Sequence, residues 1–138
     1  MKHLNDDKQM TDVWRLPAIA PWEKSCGKHP TQKPLALLTR IILASTNKNA
    51  WILDPFAGSS TTGIAANLTG RRYLGIEREQ EFADISRKRR EEINNFKVYG
   101  DYRSKIKDIA RSEIYEPNCF VCEEDAFVDL PFWIVDIH

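Results

Sequence analysis

The stretch Trp51-Ile52-Leu53-Asp54-Pro55-Phe56-Ala57-Gly58-Ser59-Ser60-Thr61-Thr62-Gly63 decides the fold. Its first three residues are apolar, too short a run for a helix, and preceded by turn residues 47–49. They predict a buried strand of a parallel sheet. Residues 54–60 read as the loop at the end of that strand, and 61–68 as a helix stopped by Gly70. Tyr73-Leu74-Gly75-Ile76 is a second strand, ending at Glu77. Upstream, Pro34 can open a helix over 34–46 that carries Leu38, Ile41, Ile42 and Ser45 on one face. Downstream, Phe82, Ile85, Arg89, Ile93 and Phe96 recur at helical spacing. They predict one long helix over 79–96 with a very basic outer face. The alternation of helix and strand predicts an α/β fold, a right-handed parallel unit of a doubly wound sheet.

The flanks are less regular. Residues 1–28 form an irregular lead-in, since Pro17 and Pro21 argue against a helix there. Residues 97–138 read as a tail of unknown role. Within it, 103–115 has helical character, and Cys119-Phe120-Val121 and Phe132-Trp133-Ile134-Val135 are candidate strands.

Composition narrows the class. Of 138 residues, 42% are hydrophobic and 29% charged, which permits a packed core and excludes wholesale disorder. Three Cys make no disulfide framework and point to a reducing compartment. No run approaches the roughly 18 apolar residues of a membrane span, and residues 1–10 have no apolar signal core. A cytoplasmic protein is expected. The net charge of zero hides an asymmetry: residues 1–111 carry +7 and residues 112–138 carry −7. A basic body suits a polyanion, whereas the acidic end is either a solvated terminus or a cover for the basic face.

Three ligands compete for the loop after the first strand. A nucleoside triphosphate needs Gly-x-x-x-x-Gly-Lys, and Ile64 stands where the Lys must be. A dinucleotide needs a central glycine so that backbone can approach the pyrophosphate. Ser60 occupies that position, and the Asp54 carboxylate would repel phosphate. S-adenosylmethionine carries a sulfonium and an ammonium instead, so a carboxylate beside it becomes attractive. Glu77 follows the loop at the roughly 20-residue spacing of a ribose-binding acid.

These segments together resemble the amino-group DNA methyltransferases, which modify N6 of adenine or N4 of cytosine. The run from Asp54 to Thr62 resembles that family's cofactor loop. His29-Pro30-Thr31-Gln32-Lys33-Pro34 resembles its second cofactor element, and Asp12-Val13-Trp14 the approach to it. Tyr73-Leu74-Gly75-Ile76-Glu77 resembles the ribose-binding strand, and 82–90 the helix after it. The likeness spans roughly residues 10–95. It departs at Ser60, where the family usually has Gly, so weakened or unchanged cofactor binding is expected.

The resemblance implies a partial doubly wound, Rossmann-like fold in which residues 29–96 bind S-adenosylmethionine. Thr31, Gln32 and Lys33, set between His29 and Pro34, would hold the methionine carboxylate. Asp54 and Pro55, with Phe56, Ala57, Gly58, Ser59, Ser60 and Thr61, would complete the methionine end, and Glu77 would hold the ribose. The implied partner is double-stranded DNA, reached through the intact enzyme, with adenine N6 the preferred target.

The family's catalytic motif, Asp/Asn/Ser-Pro-Pro-aromatic, stacks its ring on a flipped base. In the subgroup resembled here it lies upstream of the His-Pro element, and the chain starts too late to contain it. No catalytic residue is therefore assigned. The chain reads as the cofactor-binding part of the enzyme, inactive alone. Two further readings are a truncated remnant and one subunit of a split enzyme whose other polypeptide carries catalysis and target recognition. An NAD-dependent oxidoreductase is a distant alternative. Asp129-Leu130-Pro131-Phe132 is a degenerate look-alike of the catalytic motif, and a turn between tail strands reads it as well. Cys119 and Cys122 have metal-like spacing but make only half a zinc site, so no metal is expected. Arg87-Lys88-Arg89-Arg90 is either a solvated helix face or a phosphate-contacting patch. With so few strands, one sheet edge should be open and apolar.

Overall fold

The computed structural model describes residues 2–115 and 132–136. Three parallel strands form the sheet in the order β1-β2-β3: β1 (Trp51–Asp54), β2 (Arg72–Glu77) and β3 (Phe132–Asp136). In the register, Leu53 faces Leu74 across β1 and β2, and Leu74 faces Trp133 across β2 and β3. Helices α1 (Leu35–Ser45), α2 (Thr61–Leu68), α3 (Gln80–Glu92), α4 (Phe96–Lys105) and α5 (Lys107–Tyr115) complete it. The lead-in has two short 3-10 turns, Lys2–Asn5 and Pro21–Lys24, and is otherwise irregular.

The side chains that alternate along the strands split into two sets. Ile52, Tyr73, Phe132 and Ile134 pack with Leu35, Ile42, Ile64, Leu68 and Ile93 into one core. Gly63 allows this contact, because a Cβ there would come within 2.5 Å of the Tyr73 ring. The opposite set is uncovered. Trp51 (47%), Leu53 (62%), Trp133 (57%) and Val135 (47%) are exposed, and the two Trp rings lie 5.2 Å apart. The first strand is thus buried on one face only, a correction to its reading as a fully buried strand. Among the described residues the helices cover one face, and the open apolar surface is a face more than an edge.

α1 carries its buried residues on a different stripe from the one expected. Leu35, Thr39 and Ile42 point inward, while Ile41 is exposed. Pro34 lies outside the helix as its N-cap, in extended conformation, and offers no side-chain cap. The buried Glu23 replaces that cap: its Oε2 accepts from Leu35 N at 2.8 Å, and its Oε1 from Ala20 N at 3.0 Å. A carboxylate at a helix N-terminus also meets the positive end of the helix dipole.

The long helix expected over 79–96 is two helices. α3 ends at Glu92, and Phe96 opens α4. Asn95 makes the break, its Oδ1 accepting from Lys97 N at 3.0 Å and Val98 N at 3.3 Å. An Asn cap competes with helix continuation by offering the backbone a side-chain acceptor. Phe96 is consequently half exposed and leaves the apolar stripe, whereas Ile85, Arg89 and Ile93 stay on it. α4 then closes the far end of α2: Arg103 donates to Leu68 O, and Tyr99 OH to Asn67 O at 3.4 Å. A cation there satisfies carbonyls that the helix leaves unpaired. Tyr99, Tyr102, Ile106 and Ile109 all join the core.

Glu92 ties the lead-in to this body. Its carboxylate accepts from Ser25 Oγ at 2.9 Å, Cys26 Sγ at 3.3 Å and Tyr102 OH at 2.9 Å. The arrangement keeps Cys26 and Tyr102 protonated; burial, reinforced by Glu92, raises the Cys26 thiol and pushes Tyr102 up to about 12.

The β3 strand confirms the candidate strand over 132–135. Residues 119–122, with Cys119 and Cys122, and Asp129, Leu130 and Pro131 lie outside the described residues. Phe132 is within them, and its ring packs 4.9 Å from that of Tyr73.

If Asn95 sets the α3–α4 break, Asn95→Ala lowers unfolding stability by about 1 kcal/mol while Asn95→Asp costs little. Urea denaturation of the two variants checks this, and equal losses would remove the cap.

Candidate functional site

The carboxyl ends of β1 and β2 open into two adjoining hollows. The smaller, about 180 Å³, is lined by Gln32, Lys33, Leu38, Asp54, Ala57, Ser59, Thr61 and Thr62. The larger, about 570 Å³, is lined by Pro55, Ile76, Glu77, Arg78, Glu79 and Phe82. His29, Thr31, Phe56 and Gly58 border both.

Twelve of the fourteen expected site residues therefore meet at one cleft, and two do not line it. Pro34 is the α1 N-cap. Ser60 is fully buried beneath the loop. Sequence reasoning missed Leu38, Thr62, Ile76, Arg78, Glu79 and Phe82 as lining residues. Phe82 was legible only as part of a helix stripe, yet its ring packs 4.2 Å from that of His29 and fixes it.

Geometry of the loop follows from a few bonds. Ala57 N donates to Ile76 O at 3.0 Å, binding the loop to the end of β2. Gly58 N donates to Glu77 Oε2 at 2.7 Å, and Glu79 N to Glu77 Oε1 at 2.9 Å. Glu77 thus orders both the loop and the following turn. Each carboxylate oxygen keeps a second lone pair toward the cleft. Asp54 Oδ1 accepts from Phe56 N at 3.1 Å. Gly58 has φ +55°, and a Cβ there would sit 3.0 Å from His29 Nε2. Its glycine serves both the left-handed backbone and the close approach of the imidazole.

Ser60 also adopts a left-handed backbone, φ 55°, as N-cap of α2. A non-glycine residue there is strained. Its Oγ accepts from Tyr73 OH at 3.2 Å, which gives that buried hydroxyl a partner. Burial raises the Tyr73 hydroxyl well above the usual tyrosine range, so it remains a donor.

Under the loop lies Arg89, which the helical spacing placed on one stripe with Ile85 and Ile93 although it also stands in the charge run 87–90, and it is buried. Its Nη1 donates to Ser59 O at 2.8 Å, Thr61 Oγ1 at 3.0 Å and Ser59 Oγ at 3.2 Å. Among the described residues its Nη2 has no hydrogen-bond partner, and burial lowers its affinity for the proton. Ser86 Oγ lies 2.9 Å from Gly58 O and adds a second support. Of the other cations of that run Lys88 is exposed, while Arg87, paired to Asp84 at 2.9 Å, and Arg90 are half-buried.

Gln32 is buried, and its amide is oriented by Glu23 O, which can only accept: Nε2 donates to it at 2.9 Å. Its Oε1 has no partner among the described residues. Lys33 and Thr31 are exposed at the rim. Among the described residues no group of three His, Cys, Asp or Glu side chains is placed to hold a metal ion, and no helix is long and apolar enough to cross a membrane.

Fold and cleft together define a mixed α/β domain with a cleft at the carboxyl ends of parallel strands, where open α/β sheets take their ligands. Residues 1–88 match the N6/N4 methyltransferases, a family described as DNA methylase, and the chain belongs to it. It is 57% identical over 107 residues to the Type II methyltransferase M2.MboI of Moraxella bovis, covering 78% of this chain and 39% of that protein. It is 57% identical over 94 residues to the Type II methyltransferase M2.DpnII of Streptococcus pneumoniae, covering 68% of this chain and 35% of that one. The Type II methyltransferase M.HinfI of Haemophilus influenzae is 48% identical over 98 residues, 67% of this chain and 27% of its own length. The chain therefore spans well under half the length of these relatives.

The left-handed backbone at Ser60 yields a comparison free of the lost hydroxyl. Ser60→Gly and Ser60→Ala both remove the bond to Tyr73, but only Ala keeps the backbone strain. Ser60→Gly is expected to be the more stable by about 1 kcal/mol in chemical denaturation. Equal stability would show that the residue is not left-handed in solution.

Proposed function

We propose that this chain is the cofactor-binding part of an S-adenosylmethionine-dependent DNA methyltransferase with a Rossmann-like fold, acting on an exocyclic base amine, adenine N6 by preference. Residues 29–96 carry the cofactor. The observation that carries this reading is the pair of carboxylates, Asp54 and Glu77, at the ends of adjacent parallel strands. Both border the cleft. Such a cleft repels pyrophosphate and favours a cationic, phosphate-free ligand.

When bound, S-adenosylmethionine supplies a sulfonium methyl that a base nitrogen can attack directly. The chain's own residues do the holding. Glu77 accepts from the ribose hydroxyls with the lone pairs that Gly58 N and Glu79 N leave free. Asp54 and Gln32 Oε1 offer acceptors to the methionine ammonium, and Thr31 and Lys33 at the rim offer donors to its carboxylate. Gln32 changes its expected role here: its donor is engaged by Glu23 O, so it acts as an acceptor. Arg89, bonded to Ser59 and Thr61, keeps the loop backbone in place while the ligand enters. DNA is the substrate of the whole enzyme. No Asp-Pro-Pro-aromatic sequence occurs in these 138 residues, so the flipped base is received by another part of the enzyme, in the same or a separate polypeptide. The open sheet face of Trp51, Leu53, Trp133 and Val135 is where that part packs.

Calorimetry with S-adenosylhomocysteine and NAD tests the cofactor. S-adenosylhomocysteine should bind and NAD should not; tighter binding of NAD would overturn the reading.

Glu77→Gln keeps one acceptor oxygen but turns an amide donor toward a backbone N–H or the ribose. The lost charge-assisted bonds are each worth roughly 1.5–3 kcal/mol. Affinity for S-adenosylhomocysteine should fall about tenfold or more. An unchanged dissociation constant would take Glu77 off the ribose.

A further inference from the structure

A second cleft lies away from the cofactor loop. It has a volume of about 420 Å³ and is walled by three segments: Arg15, Leu16 and Pro17 of the lead-in, Ala36 and Arg40 of α1, and 105–108 with Arg111 around the α4–α5 turn. Five of its ten lining residues are Arg or Lys, and one, Asp108, is acidic.

That single carboxylate is buried and already engaged. Asp108 Oδ2 accepts from Arg40 Nε at 2.7 Å and its Oδ1 from Arg40 Nη2 at 3.0 Å, with Arg111 Nη1 at 3.6 Å. The Arg40 guanidinium is held further by the Trp14 ring, 5.5 Å from its centroid. Lys105 pairs with Asp101 at 2.5 Å and stands 4.9 Å over the Trp22 ring. Arg111 pairs with Asp6 at 2.9 Å. Arg15 and Lys107 are exposed, and neither has an ion-pair partner among the described residues. Three cations are thus fixed in the wall and two stand unpaired at the mouth. The floor is apolar: Leu16, Pro17, Ala36 and Ile106.

A cationic rim over an apolar floor matches a sugar–phosphate unit, whose anionic oxygens meet Arg and Lys while its deoxyribose packs on carbon. The hollow is larger than a lone phosphate ion requires. We propose that this cleft grips the phosphate backbone of the DNA substrate at a point separate from the base being modified. The inference rests on the reading that DNA is the substrate. Ala36 and Arg40 share one face of α1, being four residues apart, whereas Leu38, which borders the cofactor cleft, lies on the opposite face. The two sites are therefore separated by the width of a helix, about 10 Å. Contacts of this kind supply position and salt-dependent affinity without reading sequence.

The test uses the full 138-residue chain and the double variant Arg15→Gln/Lys107→Gln. DNA binding is followed by fluorescence anisotropy over a salt series, with duplexes of unrelated sequence. Removing two phosphate contacts should lower the slope of log affinity against log salt by about two, equally for every duplex. Binding at low salt should weaken about tenfold, and S-adenosylhomocysteine affinity should not change. An unchanged slope in a variant that still binds S-adenosylhomocysteine would overturn the cleft's role. An equal change from Lys88→Gln/Lys97→Gln, two exposed cations elsewhere, would overturn it as well, since bulk charge alone would then explain the effect. Inorganic phosphate at matched ionic strength serves as the third arm. Displacement of DNA from the parent chain but not from the variant is expected, since the anion then competes for the same cleft, and equal displacement from both would overturn the assignment. Failure of the parent chain to bind S-adenosylhomocysteine strikes the cofactor reading and leaves the salt-slope result to stand on its own.

Discussion

The guanidinium of Arg89 is the interaction on which the cofactor-loop geometry depends. It sits buried at the back of the loop and gathers Ser59 O, Ser59 Oγ and Thr61 Oγ1 onto one nitrogen. A loop of this shape exposes few backbone donors to its own chain, so something must take its inward carbonyls. A neutral donor takes one acceptor here, as Ser86 Oγ does at Gly58 O. A charged, planar group reaches one carbonyl, Ser59 O, and two hydroxyls together, and its bonds are the stronger kind. Burying it carries a desolvation cost, visible in the lowered proton affinity and the unpaired Nη2. The loop is thereby fixed before any ligand arrives, and a preformed site loses less ordering entropy on binding.

Charge then has a consistent pattern from the core outward. The cation lies behind the loop, and the two carboxylates at the strand ends lie at its front. Asp54 and Glu77 are each occupied on one side by backbone N–H groups, Phe56 for one and Gly58 and Glu79 for the other. The acids that shape the cleft are therefore also the acids that charge it, and shape and charge cannot be altered separately by a single substitution.

Much of this was legible in the sequence because it rests on local patterns. The strand–loop–helix at 51–68 was set by an apolar triplet, a turn and a glycine stop, and all three are where the pattern puts them. The cleft residues followed from two short segments flanking one helix. What escaped was decided by partners distant in sequence. Glu23 lies in the irregular lead-in, and only the approach of Leu35 N makes it a cap. Arg89 shared the stripe of Ile85 and Ile93, and what was not legible was its role, because Ser59 and Thr61 that receive it are about 30 residues away. Asn95 is the exception, since its cap bonds are local, to Lys97 N and Val98 N. The apolar Phe96 one residue later fitted the stripe and masked it.

The uncovered face of the sheet follows from the same chain logic. Parallel strands need crossover connections, and their sheets are stable when both faces are covered. Here one layer of helices packs on Ile52, Tyr73, Phe132 and Ile134, while Trp51, Leu53, Trp133 and Val135 project the other way. Two adjoining Trp rings, tilted 44° to each other, form with Leu53 and Val135 an apolar patch of the kind that marks an interaction surface more often than a solvated one. Most of each relative's length lies outside the matched region, so those proteins have chain available for a second layer. The cleft at the strand ends lies beside this apolar face. On the proposed reading, a second layer packed there would sit next to the site that holds the methyl donor, so covering the face would complete the core and border that site at once.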